Sequence, residues 1–111
     1  MSSMLVSAMT KQHYFCKLIP PRPTFALDMT NEERRLMQEH VRYMREQFDA
    51  GKVLIYGPVM ASEGAFGMAV LEVTSEAEAR EFVAGDPTQK ACLNRYEFNP
   101  MQVAAAKAKE T

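Results

Sequence analysis

The sequence lacks the marks of several broad protein classes. No apolar run approaches the roughly 20 residues that cross a bilayer, and residues 1–12 have neither the basic segment nor the long apolar stretch of a secretory signal. Lys and Arg number 13 against 14 Asp and Glu, a formal net charge of −1, and neither sign forms a long block. Nucleic acids and anionic membranes require a concentrated basic face. We therefore expect a cytoplasmic protein that binds neither.

The sequence also lacks the short motifs of common cofactor and hydrolase chemistry. No GxGxxG, Walker loop, HExxH or GxSxG pattern occurs, so nothing favours nucleotide, metal or serine-hydrolase chemistry. We expect no cofactor and no metal. The two cysteines, Cys16 and Cys92, lie far apart and outside any CxxC spacing. Buried free thiols are the simpler interpretation, and a disulfide or a reactive thiol is the alternative.

What the sequence contains fits a single domain. Its 111 residues, 47% of them hydrophobic, suffice for one core and not for two. We predict a loose arm at 1–12, a domain over 13–102 and a tail at 103–111 that forms a short helix or frays. Periodicity predicts helices at 31–50 and from the Ser75 cap to about 84, then a short turn or helix through Lys90. The predicted strands are 13–19, 53–56, 66–73 and 95–101.

Local signals predict where these elements begin and end. Thr30 with Glu33, and Ser75 with Glu78, form capping boxes at the starts of the two helices. Gly51 is the expected C-cap of the first helix. Two strands are expected to stop at proline-containing segments, Pro20–Pro23 and Gly57-Pro58.

The order of the elements predicts the fold class. Strand, helix, strand, strand, helix, strand is the order of an α+β, ferredoxin-like domain, in which both helices cover one face of a four-stranded antiparallel sheet. Residues 95–101 alternate apolar and polar side chains and contain Pro100, which favours an edge position. The other three strands are apolar on both faces, and an exposed apolar face of that size is unusual on a monomer. We therefore predict a homodimer in which the open faces pack together.

Two residues are candidates for acid–base chemistry. His40 lies at the border of the apolar stripe of the first helix, and an unperturbed imidazole titrates near neutral pH. Asp86 lies at the break after the second helix, directly before Pro87. If both helices cover one sheet face, Asp86 can reach His40, orient its ring and raise its basicity. The alternative is structural, with a hydrogen-bonded core histidine and a turn carboxylate. The stripe is formed by Met37, Val41, Met44 and Phe48.

A resemblance to a known family rests on the segments EHVRYM, AGKVLIYGPV, EAEAREFVAGDP and FNPM, and on the hairpin glycines Gly64 and Gly67. From Tyr14 to Met101 the chain resembles the YciI-like (YCII-related) family. The resemblance implies a dimeric α/β barrel related to muconolactone isomerase, with a His-Asp pair between helices and sheet, here His40 and Asp86. It extends to a dehydrochlorinase in which such a pair is linked to acid–base chemistry, while most of the family has no assigned reaction. Thr88 and Cys92 stand where the family often shows an aromatic residue and a glycine.

Further residues complete the predicted small-molecule site. Lys17 and Arg22 are candidate anion-binding groups, although Lys17 could extend to solvent and Arg22 could be a solvated loop charge. Gly57 and Pro58 either shape the pocket mouth through close backbone approach or only end a strand. The candidate pocket walls, alternatively plain core residues, are Tyr43, Tyr56 and Phe66.

These features lead to competing hypotheses about function. The first is a cofactor-independent enzyme of lyase or isomerase type, in which His40, oriented by Asp86, moves a proton on a small cyclic or carbonyl-bearing molecule. The alternative is a non-catalytic small-molecule-binding protein or a dimeric interaction module. A haem- or oxygen-dependent monooxygenase on the same barrel is a third hypothesis, and no pattern in the sequence supports it.

Overall fold

Eight helices and strands follow one another along residues 10–107, the part of the chain that this computed structural model describes. All the predicted strands and both long helices are present, and one short helix that was not predicted follows the proline segment. No helix within the described range is long and apolar enough to span a membrane. The elements are β1 (Gln12–Ile19), α1 (Phe25–Asp28), α2 (Asn31–Asp49), β2 (Val53–Val59), β3 (Phe66–Val73), α3 (Glu76–Gly85), α4 (Pro87–Lys90) and β4 (Arg95–Met101).

The predicted arm and tail fall partly outside the described range. Residues 1–9 and 108–111 lie outside it, so most of the predicted arm is not described. At the inner end of the arm, β1 begins at Gln12, one residue before the predicted strand. Residues 103–107 form no helix, so the described part of the tail does not support a terminal helix.

The sheet has the predicted antiparallel arrangement. Its strand order is β2-β3-β1-β4, with each neighbouring pair antiparallel. In the central strand, Cys16 lies opposite Ala69 on one side and Phe98 on the other. The prediction that residues 95–101 form an edge strand is confirmed. The predicted stop of the second strand at Gly57-Pro58 is wrong, because β2 continues to Val59 as the other edge strand, where a proline costs few ladder hydrogen bonds.

The helix starts follow the predicted caps, with one difference. Thr30 forms a complete capping box with Glu33 at the start of α2. At the start of α3, the Ser75 hydroxyl accepts from the Glu78 amide, but the Glu78 carboxylate accepts from Thr74 N–H. The second box is therefore only half formed, because Glu78 bonds one residue further back than the motif requires. Gly51 follows α2 at φ 83°, as expected for a residue just after a helix end.

The core lies between the helices and one face of the sheet. Side chains alternate across a strand, and the buried members of β1 and β3 point toward α2 and α3. Met44 of the predicted stripe is buried, but Val41 is 62% exposed. The prediction of Val41 as a core residue is wrong because a cavity separates this turn of α2 from the sheet. The buried core consists of Tyr14, Cys16, Met44, Val53, Ala69, Leu71, Val73, Ala79 and Phe82.

The loop after β1 is held against α2 and against the β2–β3 turn. The Arg22 guanidinium donates to Asp28 and to Glu33, which ties α1 to the first turn of α2. Gly64 in the β2–β3 turn has φ 135°, and a Cβ there would lie 2.7 Å from the carbonyl oxygen of Pro23. A Cβ at Gly57 would meet nothing within 4 Å, so close backbone approach is a property of Gly64 and not of Gly57.

The two glycines allow a direct test of this close contact. We expect Gly64→Ala to lower the free energy of unfolding by about 1–3 kcal/mol, since it combines a left-handed backbone with a clash against Pro23. Gly57→Ala is the matched control and should change the free energy of unfolding by about 0.5 kcal/mol or less. Urea denaturation followed by circular dichroism measures both. Equal effects of the two substitutions would contradict the assignment.

Candidate functional site

The structure brings His40 and Asp86 into hydrogen-bond contact. His40 lies on α2, and its Nδ1 is 2.7 Å from Oδ2 of Asp86. Asp86 lies between α3 and α4, where it is the N-cap of α4. Gly85 permits the approach, because a Cβ there would lie 2.6 Å from the Tyr43 hydroxyl on α2. Both interpretations of Asp86 are therefore correct. Its Oδ1 caps α4, and its Oδ2 is the partner of His40.

The Asp86 carboxylate is fully buried and has donors on both oxygens. Oδ1 accepts from the amide and the hydroxyl of Thr88, each at 2.8 Å. Oδ2 accepts from the Tyr96 hydroxyl at 2.5 Å as well as from His40. Burial by itself raises the pKa of Asp86, but the hydrogen bonds from His40, Tyr96 and Thr88 outweigh it and hold the pKa below its ordinary value. Asp86 is therefore an anion at neutral pH.

Two tyrosines flank the pair. Tyr96 was not among the predicted site residues, although it shares the helix-covered face of β4 with Phe98. Burial, followed by the neighbouring charge of Asp86, raises the pKa of Tyr96, so its hydroxyl remains a donor. Tyr43 was predicted as a wall, but its hydroxyl donates to the Phe82 carbonyl at 2.7 Å. Burial and then the charge of Asp86 raise the pKa of Tyr43 to about 12.

A cavity of about 320 Å³ lies beside His40, between α1, α2 and the sheet. His40 lines it, whereas Asp86 and Tyr43 do not. This volume is at the lower end of the range for small-molecule pockets. The predicted wall residues Tyr56, Gly57, Pro58 and Phe66 all border the cavity. The other main lining residues are Cys16, Leu18, Phe25, Met29, Met37, Val41, Met44, Met68, Asn94 and Tyr96.

The two predicted anion-binding residues do not join this cavity. Lys17 alternates with the buried Cys16 along β1 and therefore lies on the opposite face of the sheet. Its Nζ is 4.6 Å from the centroid of the Phe66 ring. Arg22 is engaged by Asp28 and Glu33 in the loop after β1. Both cations border a separate open groove of about 560 Å³, together with Glu63 and Glu97.

Two further groups at the cavity wall were not predicted to belong to the site. Asn94 is 4% exposed. Its side-chain nitrogen Nδ2 donates to the Met37 sulfur at 3.4 Å, and its side-chain oxygen Oδ1 has no hydrogen-bond partner within the described residues. No local sequence pattern marks this residue. Cys16 is fully buried, and burial raises the pKa of its thiol to about 12, so it stays protonated. Cys92 is exposed, so the prediction of two buried thiols holds only for Cys16.

Metal-binding residues were not expected from the sequence. Among residues 10–107, no group of three or more His, Cys, Asp or Glu side chains is arranged to hold a metal ion. The other histidine, His13, pairs with Glu72 at 3.1 Å on the open face of the sheet. The chain thus holds two separate His–carboxylate pairs, one on each side of the sheet.

The lowered pKa of Asp86 predicts how its contribution to stability depends on pH. Stability from the ionised form is present above the ordinary carboxyl pKa of about 3.9 and is lost as pH falls through the lower folded value. We expect Asp86→Asn to reduce the free energy of unfolding by about 2 kcal/mol at about pH 7, and by less at about pH 3. Urea denaturation at both pH values measures the difference.

Glu72→Gln is the control for this prediction. It changes the partly exposed carboxylate beside His13 and should alter the free energy of unfolding by about 0.5 kcal/mol or less. A difference between wild type and Asp86→Asn that stays constant or grows on acidification would contradict the prediction.

Comparisons with known proteins agree with this architecture. The family model of the YCII-related domain matches residues 13–102. No curated protein matches significantly. Among matching solved structures is 5-chloro-2-hydroxyhydroquinone dehydrochlorinase (TftG) from Burkholderia phenoliruptrix AC1100, in complex with 2,5-dihydroxybenzoquinone. At 18% sequence identity its TM-score is 0.58, over 80% of this chain and 93% of that chain, which confirms the predicted fold class. Because the family model spans most of its length, the chain belongs to the YCII-related family.

Proposed function

We propose that the protein is an acid–base enzyme of lyase or isomerase type, with His40 as the group that moves the proton. The observation that carries this proposal is the 2.7 Å contact between His40 Nδ1 and Asp86 Oδ2 at the wall of the cavity. The His40 side chain is 14% exposed, and no described residue is bonded to its Nε2. One ring nitrogen is thus held by the buried carboxylate, while the other is left for a ligand.

The charge on Asp86 determines which ring nitrogen of His40 can act as the base. An ionised carboxylate only accepts hydrogen bonds, so Nδ1 of His40 carries a hydrogen and donates it in a hydrogen bond to Asp86 Oδ2. In the neutral imidazole, Nε2 then has a free lone pair. When Nε2 takes a proton from the substrate, the buried carboxylate stabilises the imidazolium that forms. Tyr96 and Thr88 complete the hydrogen bonds of Asp86, so the carboxylate keeps its charge and its position.

The reaction class follows from what one such base can do. A proton removed from carbon by Nε2 can return at a different atom, which is an isomerisation, or a leaving group can depart, which is an elimination. The dehydrochlorinase of the same fold is named for an elimination, and its structure contains a ligand with a six-membered ring. We therefore favour small ring compounds as the first substrates to test.

The proposal predicts a specific loss of activity. We expect His40→Ala to reduce kcat/KM about a hundredfold or more on any cyclic ketone or halogenated dihydroxybenzene that the wild type converts. His13→Ala is the matched control, because it removes the other His–carboxylate pair and should leave kcat/KM unchanged. Circular dichroism checks that both variants fold. A folded His40→Ala protein with wild-type turnover would contradict the proposal.

Non-catalytic binding of a small molecule is the second candidate. The observation that favours it is the apolar cavity wall, in which several flexible methionines can adapt to a ligand. Under this alternative, wild type and His40→Ala convert none of the compounds, and some of these compounds still bind in the cavity. Isothermal titration beside the activity assay separates the two candidates.

We also propose that the working form is a homodimer in the cytoplasm, in which the open faces of two sheets pack together. This face carries Phe15, Ile55 and Val70, and no helix within the described residues covers it. Phe15 is 36% exposed and Ile55 is 58% exposed in the single chain. Covering such a face with a second copy removes apolar surface from water. The candidate site lies on the other side of the sheet and stays open in this arrangement.

The dimer proposal predicts the mass in solution. Light scattering at micromolar concentration should give twice the 12.5 kDa of one chain. Phe15→Glu places a charge in the centre of the open face and should shift the mass toward that of one chain. Leu27→Glu is the control, because Leu27 is 88% exposed and lies away from this face. A wild-type mass of one chain would overturn the proposal.

A further inference from the structure

The wall of the cavity beside His40 is almost entirely uncharged, and within the described residues only the imidazole of His40 can become a cation there. Among residues 10–107, its lining consists of aliphatic, aromatic, sulfur-containing and small residues, with His40, Asn94 and the tyrosines as its polar members. No Lys, Arg, Asp or Glu of this range lines it. A bound molecule would therefore exchange water for a nearly apolar surface. A charged group loses free energy in such an exchange unless the protein supplies a partner.

The arginine and the lysine near the cavity are not available as partners for an anion. The guanidinium of Arg22 is bonded to the carboxylates of Asp28 and Glu33, and these contacts hold the loop that carries Phe25 of the cavity wall. Lys17 lies on the other face of the sheet. The buried anion of Asp86 is bonded to His40 at the cavity wall and repels a second negative charge.

A cation has no free partner either. Both oxygens of Asp86 already accept two hydrogen bonds each, and the side chain is fully buried behind His40. A ligand cation would have to displace Thr88 or Tyr96 to reach this carboxylate. With His40 neutral, the site therefore disfavours full charge of either sign.

Asn94 adds a requirement at the polar end of the ligand. Its buried side-chain oxygen Oδ1 has no partner within the described residues. Among these residues, its side-chain nitrogen Nδ2 has only the weak contact with the Met37 sulfur. A buried acceptor without a donor is costly. A ligand that brings an N–H or O–H group to Asn94 would remove that cost. The methionine contact is weak enough to allow the amide to turn toward a ligand.

We propose that the ligand of this cavity is an uncharged, largely apolar small molecule whose polar end carries a hydrogen-bond donor for Asn94. This inference rests on the proposed function, because it concerns the same site and assigns a substrate class to it. It excludes carboxylates and phosphates as substrates. The cavity volume of about 320 Å³ limits the ligand to a small molecule, such as a substituted single ring.

Three ring compounds of nearly equal size test the charge and the donor separately. Benzamide is neutral with a donor, acetophenone is neutral without one, and benzoate is an anion. Binding to the full chain is followed by ¹H–¹⁵N chemical shifts at about pH 8, because alkaline conditions favour the neutral form of an imidazole. We expect benzamide to bind most tightly and benzoate at least about tenfold more weakly, with shifts at the cavity residues. Benzoate binding as tightly as benzamide would overturn the proposal, as would the absence of cavity shifts with every probe at millimolar concentration.

A gain of anion binding tests the charge argument from the other side. Val41 lines the cavity and is 62% exposed, so a lysine there can reach the mouth without disturbing the core. We expect Val41→Lys to tighten benzoate binding about fivefold relative to the neutral control Val41→Gln, while benzamide binding changes little. Unchanged benzoate binding in Val41→Lys would mean that charge does not exclude the anion, and would overturn the proposal.

Asn94→Leu tests the donor requirement. The substitution keeps the size of the side chain and removes the unpaired acceptor, so we expect a melting temperature equal to or above that of wild type. The preference for benzamide over acetophenone should be lost. A preference that persists, or a large loss of stability, would overturn the role of Asn94.

His40→Gln separates this inference from the proposed function. Probe binding needs no turnover, so a wrong catalytic assignment leaves the preference for neutral probes intact in wild type and in His40→Gln. A wrong substrate class appears instead as benzoate binding in wild type, whether or not His40 is required for activity.

Discussion

The carboxylate of Asp86 is ionised and fully buried, and several parts of the structure depend on satisfying it. An uncompensated buried charge costs several kcal/mol. Donors from α2, α4 and β4 compensate this one: His40, Tyr96, and both the amide and hydroxyl of Thr88. The same contacts cap α4, fix the edge strand against the helix layer and orient the imidazole. A single side chain thus couples the packing of three elements to the geometry of the candidate site.

The sheet separates two different environments. Its covered face forms the core and, at the end near α1, leaves the apolar cavity; its open face carries apolar side chains mixed with the His13–Glu72 pair and Lys17. The cations nearest the cavity are held elsewhere, Arg22 by two carboxylates of the loop and of α2, and Lys17 over Phe66. Because structural contacts occupy these charges, the cavity wall remains apolar beside an anion that is itself fully bonded.

Most of the fold could be predicted from local patterns. Capping residues, prolines and hydrophobic periodicity placed both long helices and all four strands, and the order of these elements led to the observed antiparallel sheet. The errors lie where tertiary contacts override a local signal. Pro58 is tolerated inside β2 because that strand is at the edge of the sheet. Val41 is exposed at a cavity that helical periodicity cannot reveal.

For the candidate site, the sequence by itself determined a histidine on the inner border of a helix and an aspartate at a helix break, since periodicity and turn chemistry are local properties. Only the tertiary structure decided that these two side chains meet, that Tyr96 and Thr88 share the carboxylate, and that Asn94 lies at the cavity wall. It also placed Lys17 and Arg22 outside the cavity lining, at a separate groove. The physical reason is that strand alternation tells which residues share a face, while the packing of distant elements decides which face is covered and which charges find partners there.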